Sequence, residues 1–138
     1  MYSSLRKRGL LIFFLINTVA FSSAQDYNVL DYGAKGDSVS TNTASIQKAI
    51  DVCAETGGRV IIPEGVFLSG TIYMKSNVEL HLNKGAELKG SSSFEDYPFN
   101  DISYPNANTM DIHGKVLISR ALIFAEGQRN IAFTGEGT

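Results

Sequence analysis

At 138 residues, with 12 Lys and Arg against 14 Asp and Glu and a formal charge of −2, the chain lacks the cationic excess that nucleic acid or an anionic membrane surface calls for. Its single cysteine, Cys53, excludes an intrachain disulfide, so burial has to hold the fold together. A domain of this size buries about two-thirds of its chain surface when compact, which is enough for a core.

The first 24 residues read as a leader. Arg6, Lys7 and Arg8 precede an apolar run from Leu10 to Ile16, and the small residues Ser22 and Ala24 lie just before Gln25. This is the three-part layout of a secretory signal peptide. A bilayer span needs about 20 apolar residues, and Asn17 and Thr18 cut this run short, so no membrane anchoring is expected. The expected organisation is a signal peptide over 1–24, cleaved before Gln25, and a secreted domain over 25–138. Without the leader, nine basic residues stand against 14 acidic ones, a formal charge of −5.

Residues 31–42, DYGAKGDSVSTN, read as a glycine-rich polar turn region leading into a helix. Ile46, Ala49, Ile50 and Cys53 fall at i, i+3, i+4 and i+7, one apolar stripe at helical period. Asn42 or Thr43 can cap its start, and Gly57 suits the left-handed position just past its end. Cys53 on this stripe reads as a small buried hydrophobe.

Beyond Gly58 the period becomes two. Strands are expected near Val60–Ile62, Val66–Leu68 and Thr71–Met74, broken by Pro63-Glu64-Gly65 and Ser69-Gly70. In NVELHL, Val78, Leu80 and Leu82 alternate with Glu79 and His81, and a further strand is expected near Glu87–Leu88. NIAFTGEGT repeats the form, with Ile131 and Phe133 in the places of Val78 and Leu80. Asn77 and Asn130, 53 residues apart, each open such a strand. Short strands with frequent turns fit either an antiparallel sandwich or a parallel β-helix whose coils stack at about 4.8 Å. Asn-Gly and Asp-Gly hairpin signals are absent, which favours the parallel arrangement. In that arrangement the helix covers the edges and apolar interior of the first coil.

DYGAKGD, NTASIQKAID, GGRVIIPEGVFLSGTI, KSNVELHLNKGAELKGS and EDYP together resemble the N-terminal region of the polygalacturonases, pectin-degrading glycoside hydrolases of the pectin-lyase-like superfamily. ALIFAEGQRNIAFTGEGT resembles the segment that follows in that family. The resemblance covers nearly all of 25–138. It implies an all-β fold, a right-handed parallel β-helix of which this chain holds the N-terminal coils and one capping α-helix. It also implies inverting hydrolysis of α-1,4-galacturonosidic linkages, without a cofactor or metal and with a pectin polysaccharide as partner. Ser38 and Thr41 stand where the family often has Gly and Asp, a departure confined to a turn. The family's Asn-Thr-Asp, Asp-Asp, Gly-His-Gly and Arg-Ile-Lys motifs do not occur here. Asn108-Thr109-Met110-Asp111 has one residue too many and Ile112-His113-Gly114 lacks the first glycine. The catalytic residues are therefore expected downstream of Thr138, and the fragment alone is expected to be inactive. A rhamnogalacturonan hydrolase, a pectate lyase and a non-catalytic carbohydrate-binding β-helix are the alternatives.

Other motifs carry less. Gly33-Ala34-Lys35-Gly36 has the form of an RNA-binding GXXG loop but lacks the cationic setting. Gly65 and Gly70 have phosphate-loop spacing, yet Thr71 stands where Lys is required. His81 and His113 are not spaced as a metal pair. The long polar-aromatic stretch 91–115 holds Glu95, Asp96, Asp101 and Asp111 with Tyr97, Phe99 and Tyr104. Loops of this length are often functional, and Tyr97 and Tyr104 are the candidate substrate-binding residues, stacking on sugar rings in one wall of a groove.

Overall fold

The computed structural model describes residues 25–98 and 120–138. Its elements follow in the order β1 (Gln25–Asn28), β2 (Asp37–Thr41), α1 (Thr43–Thr56), β3 (Gly58–Ile62), β4 (Gly65–Ser69), β5 (Ile72–Tyr73), β6 (Val78–Leu82), β7 (Ala86–Gly90), β8 (Ile123–Phe124) and β9 (Ala132–Gly135). Short 3-10 turns lie at Val29–Tyr32 and Phe94–Asp96. The leader 1–24 lies outside the described residues. None of the described helices is long and apolar enough to cross a membrane.

Three sheets run side by side, with orders β1-β3-β6-β9, β2-β4-β7 and β5-β8. Every strand pair among the described residues is parallel. The antiparallel alternative is thereby excluded. Strands β3, β4 and β5 form one layer and β6, β7 and β8 the next, while β9 opens another. Parallel neighbours in register place like residues over like: Tyr27, Val60, Leu80 and Phe133 make one column, and Phe67 sits over Leu88. Val60, Phe67, Ile72, Val78 and Leu80 are fully buried, each contributing about 1.5–3 kcal/mol relative to exposure.

The 53-residue recurrence of Asn77 and Asn130 is a corner of the stack. Both residues have left-handed backbone, φ 65° and 55°, which Asn tolerates better than other side chains. The Asn130 Nδ2 donates to Asn77 Oδ1 at 3.1 Å. Gly57 occupies the same corner one layer earlier, beside the Asn77 carbonyl, to which Gly58 N donates at 3.1 Å.

The helix covers the stack as expected, with Ile46, Ala49, Ile50 and Cys53 all at 0% exposure. It also stands in for a strand. The Gln47 side-chain amide accepts from Tyr73 N at 2.8 Å and donates to Tyr73 O at 3.0 Å, pairing with the edge of β5 that faces away from β8. Thr43 Oγ1 accepts from Gly70 N at 2.7 Å. Free strand edges invite pairing with other chains, and these side chains close this one.

Four local expectations are corrected. Asn42 sits at the start of α1 but its side chain makes no capping bond. It is buried and turned inward, where Oδ1 accepts from Lys35 N and Nδ2 donates to the carbonyls of Lys35 and Ser40, so the side chain staples the Lys35–Ser40 turn instead of the helix start. Gly57 has φ 75° but ψ 158°, not the left-handed helical conformation, since the chain must enter β3 at once. Part of the expected polar turn is strand β2, an edge strand with an irregular register against β4 and little burial, so its sequence shows no alternation. Strand β5 starts at Ile72, one residue late, because Thr71 bonds to loop carbonyls instead. Ser38 within β2 has φ 64°, a left-handed position that glycine adopts without strain. The departure from the family's glycine therefore falls where glycine is conformationally favoured.

Candidate functional site

The stack puts together two stretches that the sequence keeps apart, 91–97 and 120–122. Leaving β7, Ser91 N donates to Ser69 O at 2.8 Å, and the 3-10 turn Phe94–Asp96 brings Asp96 O to Thr71 N at 3.1 Å. A Cβ at Gly70 would collide with that Asp96 carbonyl, so only glycine lets the turn approach so closely. On the return, Ala121 O accepts from Thr71 Oγ1 at 2.7 Å and Leu122 O from Ile72 N at 2.8 Å. Arg120 Nη1 then donates to Phe94 O at 3.0 Å, which joins the two ends directly.

Between them lies an open hollow of about 310 Å³ lined by Ser91, Ser92, Phe94, Tyr97 and Arg120, at the small end of the roughly 300–1,000 Å³ of ligand pockets. Phe94 is 75% exposed, and the Arg120 guanidinium lies 5.2 Å from its ring centroid, in cation–π range. Tyr97 is half-buried, and its hydroxyl donates to Ser91 O at 2.8 Å, with Ser69 O at 3.4 Å. Ser91 Oγ donates to the Asp96 carboxylate. In the β5–β8 pair, Tyr73 and Phe124 meet edge to face, centroids 5.7 Å apart.

Of the residues singled out from the sequence, Tyr97 lines this hollow, while Tyr104, Phe99, Asp101, Asp111 and His113 lie outside the described residues. Glu95 and Asp96 are on the 3-10 turn. His81 is half-buried on the outer face of β6, its Nδ1 2.6 Å from Thr134 Oγ1. Burial pushes the Cys53 thiol up to about 11, so at neutral pH it is an uncharged core group and not a nucleophile. No cluster of three or more His, Cys, Asp or Glu suited to a metal occurs among the described residues. Phe94 and Arg120 were missed. The signal for Phe94 was an aromatic ring inside the polar run SSSFEDYP; Arg120 carried none, being 26 residues away.

The family model described as rhamnogalacturonase A/epimerase, pectate lyase-like, matches residues 27–138, and the chain belongs to that family. The chain is 45% identical over 83 residues to an exo-poly-alpha-D-galacturonosidase of Dickeya chrysanthemi, a match covering 60% of this chain and 14% of that protein. It is 45% identical over 64 residues to mannuronan C5-epimerase AlgE2 of Azotobacter vinelandii, covering 40% and 6%. The family 28 exopolygalacturonase of Yersinia enterocolitica superposes with a TM-score of 0.68 at 37% identity, covering 82% of this chain and 20% of that one. The chain thus spans a small fraction of the relatives it matches. The polygalacturonase resemblance read from DYGAKGD through EDYP holds.

Proposed function

We propose that this chain is the N-terminal part of a secreted glycoside hydrolase that cleaves α-1,4-galacturonosidic linkages in pectin with inversion, on a right-handed parallel β-helix. One observation carries the reading: the polygalacturonase likeness appears both in sequence and in the layered parallel strands. In inverting hydrolysis one carboxylic acid protonates the leaving oxygen while a second carboxylate activates water, the two standing about 6.5–9.5 Å apart. Those carboxylates are assigned to layers beyond Thr138, and residues 25–138 alone are inactive. What this chain supplies is the capped end of the stack and, at Tyr97, part of one wall of the substrate groove. There Tyr97, its hydroxyl tied to the Ser91 carbonyl, offers its ring to a sugar face, and the same role for Tyr104 concerns a residue outside the described ones.

The epimerase and lyase in the family's description and the Azotobacter relative support a second reading, elimination at a uronate. The two differ in product. Incubation of the full-length protein with polygalacturonate is expected to release reducing ends without ultraviolet-absorbing unsaturated sugar, and EDTA should leave the rate unchanged. Unsaturated product that disappears with EDTA would establish the lyase instead. Binding with neither product would leave a carbohydrate-binding module.

A further inference from the structure

We propose that Gln25, at the head of β1, is a modification site. Once the leader is removed, its α-amine closes on its own side-chain amide, and the resulting pyroglutamyl end seals the first strand against aminopeptidases. This rests on the secreted reading above, with cleavage before Gln25, and goes beyond it.

Three observations carry it. First comes position. Ser22 and Ala24 are small residues of the kind a signal peptidase site uses, and the residue that follows them is glutamine. That glutamine is also the first residue of β1, Gln25–Asn28, so cleavage puts the new terminus at the start of the sheet. Second, its backbone and its side chain are occupied differently. Gln25 lies beside Gly58 in the parallel register, so closely that a Cβ on Gly58 would collide with the Gln25 carbonyl oxygen. The residue itself is exposed. Cyclisation consumes the amine and the side-chain amide and leaves that packed carbonyl unchanged. Third, the next residues of β1 make contacts that trimming would remove. Asp26 holds Arg59 through two bonds of 2.9 Å, and the hydroxyl of buried Tyr27 meets that of Thr56 at the end of α1 at 2.7 Å. Chain termini are where proteolysis concentrates, and loss of the first two residues would take the Arg59 partner away.

The step needs no co-reactant. The α-amine nitrogen attacks the side-chain carbonyl carbon and the N–Cδ bond forms. The Cδ–Nε2 bond breaks, and Nε2 leaves as ammonia with one proton from the amine. Both reacting groups sit on one short tether, which replaces a bimolecular encounter by ring closure. An α-amine titrates ordinarily at about 7.7–8.0, so a neutral, nucleophilic fraction is present at physiological pH. The lactam product has no terminal positive charge and no primary amine for an aminopeptidase to bind.

The test expresses the full-length protein with its leader and recovers it from outside the cytoplasm. Trypsin then releases the N-terminal peptide QDYNVLDYGAK, residues 25–35. A synthetic copy with free glutamine and heavy isotopes, added before digestion, reports any closure during handling. The natural peptide is expected to be lighter than its uncyclised mass by one ammonia. An uncyclised peptide would overturn the modification and leave secretion standing. A protein found only inside the cell with its leader intact would overturn the secreted reading as well, and a different first residue would overturn the cleavage site and the modification together. Gln25→Ala leaves an ordinary amine and is expected to lose N-terminal residues to a broad-specificity aminopeptidase that leaves the wild type intact. Equal behaviour of the two proteins would overturn the protective role.

Discussion

At the end of the stack covered by α1, the stripe Ile46, Ala49, Ile50 and Cys53 and the column residue Val60 are all at 0% exposure, whereas at the end marked by β9 Phe133 is 55% exposed. Both ends use the same column, since Phe133 stands over Leu80 in unbroken register. Ladder bonds continue there as well, with Leu88 N donating to Thr138 O at 2.8 Å. Hydrogen bonding alone therefore does not bury a layer of parallel strands. Side chains must cover it from both directions, and α1 does so on one side while Gln47 completes the strand edge.

Breaking that contrast should follow burial. Ile50→Ala is expected to cost about 2–5 kcal/mol through lost transfer energy and a cavity, read as a drop in the urea midpoint. Phe133→Ala in the same 138-residue chain should cost under about 1 kcal/mol and reduce association, read by light scattering. An equal loss at the two sites would show that the ends are alike. Asn42→Ala comes next, at about 2–4 kcal/mol, because Lys35 N and the Lys35 and Ser40 carbonyls lose a buried partner.

Gln47→Ala should cost about 1–2 kcal/mol and speed hydrogen exchange at the Tyr73 amide, while the Leu80 amide in the middle of the stack stays protected. The smallest effect is one of pH. Backbone and hydroxyl hydrogen bonds from Ser40 and Val39 hold the Asp37 carboxyl down to about 2 from an ordinary 3.8. A depressed folded-state value stabilises above pH 3.8, and the contribution fades as pH falls towards 2. Acid unfolding of Asp37→Asn should lack that component, and an identical acid limb in the two proteins would contradict it.

The legible parts of the fold were those with a buried face. The stripe from Ile46 to Cys53 showed at helical period, and Val78-Leu80 against Ile131-Phe133 showed as a repeat that the register reproduces through Leu80 and Phe133. Strand β2 was not legible, because DSVST is an exposed edge and leaves no period in the sequence. Asn42 misled for a physical reason: the side chain that caps helices well is also the one that best staples a turn from inside. In the hollow, Tyr97 stood out in a long loop, but Arg120 joins Phe94 only through folding. No local pattern links residues 26 positions apart outside regular structure.

The proposed parent of this layered, helix-capped chain is an inverting enzyme acting on galacturonate linkages. Proton NMR of the full-length protein acting on oligogalacturonate measures it directly, by following the first anomer released. The account predicts β-galacturonate ahead of mutarotation; α-galacturonate first, or a 4,5-unsaturated end, would contradict it.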